Sequence, residues 1–341
     1  MKSLIPILLL LFLNRFPEQI ASLEACRDVL VYSASTDSGH QYYQFDINQQ
    51  TEIELPFDNL ASAPMWSPDG NLIAIATNNE SDGFDLAILT GIDDEPIRIA
   101  SGRATQPKIR WSPDSNWIAF ESQNNVYVIT PTGEEYRQIT QGDMFYFLGD
   151  WSPNGQALLV SANDIDKQNM VVISIETEDY DEITHPVEGV FDYFVSWTPD
   201  SGGILFSTNR FSDKSALYRL NMADETPELY IDSVVVSVSW NPSGTRFVFS
   251  VSSNGFIEIY THNLLTGENV MLTGDYVILH ENFVKPVWSP SGSFIAFTAI
   301  DDDNHENEYE VFVADLEAGK ILQLTSNNRI ESSPTWLSCR R

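Results

Sequence analysis

A short phrase built around tryptophan recurs along this 341-residue chain and constrains its fold more than any other feature. It reads Trp-Ser-Pro-Asp-Gly or a close variant, as in "MWSPDG", "DWSPNG" and "VWSPSG". Successive copies are 45, 40, 46, 43 and 48 residues apart. Their tryptophans are Trp66, Trp111, Trp151, Trp197, Trp240 and Trp288. Periods of this length indicate a repeat architecture.

Each copy is followed by short apolar stretches separated by polar loops, such as "NLIAIAT" and then "FDLAILT". Short runs rich in β-branched and aromatic residues, bounded by Gly, Asp, Asn and Pro, predict strands. Each repeat therefore predicts four antiparallel strands, A to D, with Ser-Pro-Asp-Gly as the A–B turn. The tryptophan ends strand A, where its ring can pack between neighbouring sheets. Four-stranded units at this period predict a β-propeller.

The two ends of the chain each contain part of a repeat. Residues 28–56 supply strands B, C and D with no tryptophan phrase before them, whereas "IESSPTWLS", with Trp336, supplies an inner strand with no strand B after it. We expect the two parts to complete one blade. The predicted fold is therefore an all-β, seven-bladed propeller whose ring is closed by the C-terminal strand, which removes exposed sheet edges.

The two cysteines of the chain, Cys26 and Cys339, map onto the same template position, that of Asp69, from opposite ends. We therefore predict a disulfide between them that locks the ring and indicates an oxidising compartment. An alternative remains open, because "LEAC" (23–26) faintly resembles a lipobox and would place a lipid anchor on Cys26.

The N-terminal residues predict export. Lys2 precedes the apolar run "LIPILLLLFL" (4–13), which is typical of a signal peptide. This run is too short for a bilayer span of about 20 residues. We predict a signal peptide over 1–25 and one propeller domain over 26–341, located in the periplasm, at the cell surface or outside the cell. An uncleaved amphiphilic anchor is the alternative.

The charge of the chain limits its partners. The sequence has 18 Lys and Arg against 49 Asp and Glu, a formal net charge of −31. Such a field repels phosphate backbones and anionic membrane surfaces and attracts cations and basic protein patches. We therefore expect no nucleic-acid binding, no membrane span and a monomer.

The "WSPDG…IAF" pattern resembles the WD40-like Pro-Asp propeller repeats of the TolB family, the periplasmic propeller of the Tol–Pal system. It also resembles the propellers of prolyl oligopeptidase-type enzymes. The resemblance covers nearly all of 28–338. It implies a periplasmic propeller, and because TolB propellers have six blades, a six-bladed ring is the alternative fold.

Strand order places the B–C loops and the D–A connections on one face of the propeller, where we expect the function. The loop "DDDNHENEYE" (301–310) offers Asp301, Asp303 and His305 as ligands for Ca²⁺ or another divalent cation, with a solvated acidic hairpin tip as the alternative. His40 lies on the adjacent blade. Aromatic residues precede strand A of two blades and could stack on a sugar or bind a peptide: Phe145, Tyr146, Phe147, Phe191, Tyr193 and Phe194.

Catalytic signatures are missing from the sequence: it has no G-x-S-x-G, no H-E-x-x-H, no Walker loop and no Rossmann glycine pattern. We predict an exported, non-enzymatic propeller without a cofactor that binds a protein, peptide or glycan partner through its acidic loop face. The alternative is a propeller hydrolase or lactonase-type enzyme that uses a cation at the channel mouth.

Overall fold

The fold consists of seven four-stranded antiparallel sheets arranged as a β-propeller. The computed structural model describes residues 28–36, 39–57, 60–79, 83–104, 108–142, 144–164, 167–185, 187–190, 192–212, 214–253, 256–273, 285–300, 309–327 and 329–337. Within these ranges the regular secondary structure is entirely β, and no helix there is long and apolar enough to cross a membrane. The predicted all-β, seven-bladed fold is confirmed, and the six-bladed alternative is wrong.

Each blade takes its four strands in chain order, except the first. Blade 1 contains β1 (Val29–Thr36), β2 (Gly39–Asp46) and β3 (Thr51–Leu55), and blade 2 contains β4 (Met65–Trp66), β5 (Ile73–Asn78), β6 (Phe84–Leu89) and β7 (Ile97–Ala104). Blade 3 contains β8 (Ile109–Trp111), β9 (Ile118–Ser122), β10 (Asn125–Ile129) and β11 (Tyr136–Gln138), and blade 4 contains β12 (Phe145–Trp151), β13 (Ala157–Asp164), β14 (Lys167–Ser174) and β15 (Tyr180–Glu182). Blade 5 contains β16 (Asp192–Trp197), β17 (Gly203–Thr208), β18 (Ala216–Asn221) and β19 (Pro227–Ile231). Blade 6 contains β20 (Val235–Trp240), β21 (Arg246–Ser253), β22 (Phe256–Asn263) and β23 (Asn269–Met271). Blade 7 contains β24 (Val287–Trp288), β25 (Phe294–Ile300), β26 (Tyr309–Asp315) and β27 (Lys320–Gln323), and the final strand is β28 (Ile330–Trp336).

The final strand, β28, completes blade 1, as the sequence predicts. The sheet order is β28-β1-β2-β3, and Leu30 pairs with Trp336 in an antiparallel register. The pairing continues past the strand, since the N–H of Leu337 donates to the carbonyl of Val29 at 2.9 Å. The two ends of the described chain are therefore hydrogen-bonded neighbours, and they close the ring.

The hydrophobic core lies between blades. One buried cluster joins Ile88 of blade 2 to Ile109 and Phe120 of blade 3, and another joins Tyr32 of blade 1 to Val311 of blade 7. Because both faces of each sheet are covered, the strands read as nearly continuous apolar runs rather than as strict alternation.

The repeated tryptophans join neighbouring blades by hydrogen bonds as well as by packing. Most indole N–H groups donate to the residue just before the tryptophan of the preceding blade. The pairs are Trp111 with Met65 O at 2.9 Å, Trp151 with Arg110 O at 3.1 Å, Trp197 with Asp150 O at 3.3 Å, Trp240 with Ser196 Oγ at 3.1 Å and Trp336 with Val287 O at 3.0 Å. Trp288 differs, because its buried Nε1 has no acceptor among the described residues.

The A–B turns are stabilised by their own polar side chains. In blade 2, Ser67 Oγ donates to Asp69 Oδ1 at 2.6 Å, and the same oxygen accepts the N–H of Asn71 at 3.1 Å. Partial burial raises the pKa of Asp69, but these hydrogen bonds outweigh it and hold the pKa below its ordinary value. Gly70 has a φ of 71°, which favours glycine.

A threonine after the outermost strand supports the start of strand C in four blades. Its hydroxyl oxygen accepts a hydrogen bond from the backbone N–H of a residue near the start of that strand. The pairs are Thr140 with Val126 at 2.8 Å, Thr184 with Met170 at 2.9 Å, Thr273 with Ile259 at 3.1 Å and Thr325 with Val311 at 2.8 Å. These bonds lie near the B–C loops, and they therefore anchor the strand ends from which those loops leave.

Candidate functional site

The two faces of the ring differ in their connections. We call the face formed by the B–C loops and the D–A connections the crossing face, and the face formed by the A–B and C–D turns the turn face. Each inner strand begins at the crossing face and ends at its tryptophan near the turn face. Residues just before an inner strand therefore lie around the crossing-face end of the central channel, which we call the mouth.

The residues predicted as cation ligands and as the disulfide fall outside the described residues. These are Asp301, Asp303 and His305, and Cys26 and Cys339. Both predictions therefore remain predictions. In the part of the chain that is described, no three His, Cys, Asp or Glu side chains are grouped so that they could hold a metal ion.

The histidines of the described chain make local contacts. His40 is exposed and lies 3.1 Å from Ser35 Oγ, and His185 lies 3.4 Å from a carboxylate oxygen of Glu182. His262 is buried beside the ring of Phe247. None of these contacts brings two histidines together.

The aromatic residues predicted to precede the inner strands lie, where described, on the first residues of the inner strands β12 and β16, and they separate into exposed and buried sets. Phe145, Phe147 and Tyr193 expose 46%, 44% and 53% of their surface, which is unusual for rings on the innermost strands. Tyr146 is buried and donates from its hydroxyl to Gln141 O at 3.2 Å. Phe191 lies outside the described residues, and Phe194 is partly buried against the core between blades 4 and 5. The prediction of aromatic rings at the mouth thus holds for three side chains.

Four other exposed apolar side chains of the crossing face belong to the same sector of the ring, blades 4 to 6: Val187, Phe211, Val234 and Phe256, each exposed by 41–46%. Ile330, which is 45% exposed at the start of β28 in blade 1, lies outside this sector. Exposed apolar surface concentrated in one sector is typical of an interaction site. We call these four residues together with Phe145, Phe147 and Tyr193 the aromatic sector.

A buried ion pair fixes the backbone beneath this sector. Asp192, fully buried at the start of β16, contacts Arg210 through its Oδ2 at 2.5 Å and accepts the hydroxyl of Thr208 at 2.6 Å. The same guanidinium donates to the carbonyl of His185 at 2.7 Å. The pair ties the D–A connection before blade 5 to the B–C loop of that blade, so Tyr193 projects from a braced strand.

Blade 4 presents its inner strand through a β-bulge. The register of β12 shifts between Leu148 and Asp150, and a Cβ on the intervening Gly149 would lie 2.5 Å from the carbonyl oxygen of Leu159. The peptide groups of Leu148 are held on both sides. Its N–H donates to Glu121 at 2.8 Å and its carbonyl accepts from the ammonium of Lys108. Bulges of this kind redirect side chains, here that of Asp150.

The channel, from its mouth inward, also contains cations that the sequence reasoning missed. Lys108 and Lys285 each stand three residues before their blade's tryptophan, in blades 3 and 7 on opposite sides of the ring. Arg110 and Asp150 each stand one residue before a tryptophan, in adjacent blades. The sequence does contain a signal for these lysines, because aligning the repeats on tryptophan places both of them at the same position of the repeat.

The protein environment perturbs the charges of this cluster. Burial lowers the pKa of Lys108 to about 8, and repulsion from Arg110 and Lys285 adds to the effect. Burial and Arg110 likewise lower the pKa of Lys285. Burial raises the pKa of Asp150 and of Glu121, in part against the attraction of Lys108 and Arg110. More than a third of the surface of Asp150 is nevertheless accessible to water. Asp150 is therefore surrounded by protein but still hydrated, as expected for a side chain in a water-filled channel.

A second buried cluster lies at the seam between blades 7 and 1. Glu310 and Glu331 are 0% and 1% exposed, and each has one carboxyl oxygen without a hydrogen-bond partner among the described residues. Burial and the neighbouring Glu310 raise the pKa of Glu331 to about 7. Arg329 contacts Glu331 at 3.4 Å and Glu52 at 3.1 Å. Burial next to a second carboxylate therefore favours the protonated form of Glu331.

These features define a seven-bladed propeller of tryptophan-marked repeats with an aromatic and cationic channel mouth. The sequence profile of the TolB beta propeller domain matches residues 27–228, more than half of the chain. The chain therefore belongs to this family, and the predicted resemblance is confirmed.

Solved structures with the same fold have diverse activities. TolB from Acinetobacter baumannii is 15% identical, with a TM-score of 0.55 over 91% of this chain and 83% of that chain. An oligogalacturonate lyase from Vibrio parahaemolyticus is 14% identical, with a TM-score of 0.62 over 89% and 87%. A puromycin-hydrolyzing peptidase from Mycobacterium tuberculosis is 13% identical, with a TM-score of 0.66 over 88% of this chain and 52% of that one, so this chain spans about half its length. No curated protein matches the chain. At these identities the likeness shows the fold alone.

Proposed function

We propose that the protein is an exported, non-enzymatic β-propeller that binds a protein or peptide partner at its crossing face, with the aromatic sector as the contact surface. The single observation that carries this proposal is the exposure of Phe145, Phe147 and Tyr193 at the mouth. Burying an aromatic ring of about 150–250 Å² contributes strongly to binding, and aromatic residues are enriched in interfaces. The membership of the family supports a propeller that acts by binding.

The rigidity of the scaffold supports the same proposal. Two of the rings lie on β12, which pairs with β13 over its whole length, and Tyr193 lies on β16 beside the buried pair of Asp192 and Arg210. Rings held on paired strands lose little conformational entropy when a partner binds, so more of their contact energy appears as affinity. The acidic loop sequences of the crossing face would favour a partner with basic groups at the rim.

Export and the disulfide that closes the ring are part of the proposal. A signal peptide over 1–25 would deliver the chain to an oxidising compartment, where Cys26 and Cys339 form a disulfide. The hydrogen-bonded pair of Val29 and Leu337 supports this pairing, because it lies three residues after Cys26 and two residues before Cys339.

A capture experiment with matched variants tests the proposed function. The full-length protein, immobilised after export, is exposed to envelope and culture-fluid extracts of the producing cells with and without chemical cross-linking. The test variant carries Phe145→Ser and Phe147→Ser. The control carries Leu265→Ser, which removes an apolar side chain that is 85% exposed on the turn face.

We expect a partner that the wild type and the control capture equally and that the double variant loses by at least about tenfold, the equivalent of 1.4 kcal/mol. The serine residues replace exposed rings, so both variants should keep the urea midpoint of the wild type. Capture that is unaffected by the double substitution, or no capture even with cross-linking, would overturn the proposal.

A further inference from the structure

Three cations lie on or just before inner strands that line the central channel, in a chain that is otherwise strongly acidic. Lys108 and Arg110 come from blade 3 and Lys285 from blade 7, and repulsion from Arg110 contributes to the lowered pKa of both lysines. They are drawn from only 18 Lys and Arg in a chain of net charge −31. Like charges held together in a partly dehydrated channel cost free energy, so the arrangement favours an anion that neutralises them.

The cluster is incompletely neutralised by the protein itself. Lys108 donates to a backbone carbonyl, that of Leu148, and the guanidinium of Arg110 donates to the carbonyl of Ile109 at 2.9 Å. Among the described residues, no carboxylate lies within 4.0 Å of Arg110 or Lys285. Asp150 and Glu121 attract these cations only at longer range, and each carboxylate accepts a backbone N–H, that of Trp151 and that of Leu148.

The overall charge of the protein restricts what the cluster can bind. A polyanion would be repelled by the surrounding field before it reached the mouth. One carboxylate on a ligand that is not otherwise acidic meets a much smaller barrier, because the repulsion scales with the charge of the ligand, and it would gain charge-assisted hydrogen bonds from Arg110 and the lysines. Phe147 stands one residue before Leu148, the backbone acceptor of Lys108, so an apolar side chain next to that carboxylate would meet an aromatic ring.

We propose that Lys108, Arg110 and Lys285 form an anion site in the central channel that takes a carboxylate of the bound peptide. This site rests on the proposed function and gives the partner a chemical signature: an apolar residue beside a free carboxyl terminus or beside an acidic side chain. Lys108 positions the strand of blade 4 and adds charge, whereas Arg110 and Lys285 are the groups free to contact the ligand.

Calorimetric titration with short peptides tests the site and distinguishes the two sources of the carboxylate. One peptide, acetyl-Ala-Ala-Phe, has a free carboxyl terminus; a second, acetyl-Ala-Phe-Glu-amide, has only a side-chain carboxylate; the neutral reference is acetyl-Ala-Phe-Gln-amide. Each is titrated at low ionic strength into the exported full-length protein and into Arg110→Met, Lys285→Met and Lys320→Met. Lys320, exposed at the start of β27 near the turn face, is the control for loss of one positive charge.

We expect at least one carboxylate peptide to bind the wild type about tenfold more tightly than the neutral peptide, with added salt weakening it. Arg110→Met and Lys285→Met should remove this preference, and Lys320→Met should keep it. Lys285 is exposed, so its variant remains informative if Arg110→Met fails to fold. Equal binding of all three peptides, no binding, or an equal loss in Lys320→Met would overturn the site.

The capture experiment separates failure of this site from failure of the proposed function. If the partner is lost with the double phenylalanine variant but retained by both Arg110→Met and Lys285→Met, the anion site is wrong and the binding face stands. If the double phenylalanine variant captures the partner as well as the wild type does, the proposed function is wrong, whatever the result of the peptide titrations.

Discussion

Two of the repeated tryptophans provide a matched test of how the blades are held together. Trp111 and Trp288 are equally buried, with 7% and 8% exposure, and occupy the same place in their repeats. The indole N–H of Trp111 donates to Met65 O at 2.9 Å, across the boundary with the preceding blade. The indole N–H of Trp288 is buried without an acceptor in the described chain. Substituting phenylalanine at each position removes the same atoms but only one hydrogen bond.

The expected difference follows from this contrast. Replacing Trp by Phe costs packing in both variants, by about 1–2 kcal/mol as a fraction of the cost of full truncation. Trp111→Phe also loses a hydrogen bond and leaves a carbonyl with one partner fewer, which adds about 1–3 kcal/mol. Trp288→Phe removes a buried donor that had no partner, which offsets part of its packing loss. Trp111→Phe should therefore be the more destabilising by about 1–3 kcal/mol.

Urea unfolding followed by far-ultraviolet circular dichroism measures the difference. Both variants should keep the slope of the wild type, so that the shift in midpoint reports the free energy of unfolding. Equal losses in the two variants would refute the hydrogen bond as an interblade tie and leave packing as the whole contribution of the rings. A larger loss for Trp288→Phe would contradict the reasoning outright.

Three further predictions concern the seam, the bulge and the ring closure. Burial raises the pKa of Glu331 to about 7, so the folded state keeps a proton that the unfolded state releases near pH 4.5; stability should fall as the pH rises between these values, and Glu331→Gln should flatten that fall in urea titrations. Gly149→Ala should cost about 1–3 kcal/mol in the same assay, because its Cβ meets the carbonyl of Leu159. Non-reducing tryptic mass spectrometry should find Cys26 joined to Cys339, and serine at both positions should cost about 2–5 kcal/mol of stability; a lipid on Cys26 would contradict the pairing.

The blade architecture could be predicted because its determinants are local. The Trp-Ser-Pro-Asp-Gly phrase specifies a turn through Pro and Gly, and its period counts the blades. The closure of blade 1 could also be predicted, since "IESSPTWLS" fits the same template. The hydrogen bonds of the tryptophans could not be predicted, because their acceptors belong to the neighbouring blade and depend on how the sheets pack.

The site was predicted only in part, for physical reasons. Strand order alone placed Phe145, Phe147 and Tyr193 at the mouth, but their exposure depends on how the blades pack around the channel, which periodicity does not reveal. The cations were not predicted because, in a chain with a net charge of −31, the acidic loops are the more prominent candidates for binding. Lys108 and Lys285 belong to the same channel only because the ring closes, although their equal spacing from tryptophan is visible in the sequence.

Site-specific photo-cross-linking in the producing cells tests the central claim, that the crossing face binds a partner, most directly. A benzoylphenylalanine replaces Phe147 at the mouth in one protein and Leu265 on the turn face in another, both of them exposed positions. Illumination should give a discrete adduct from position 147, and that adduct should disappear when Arg110→Met is added if the carboxylate site also holds. An adduct from position 265 with none from position 147 would contradict the account.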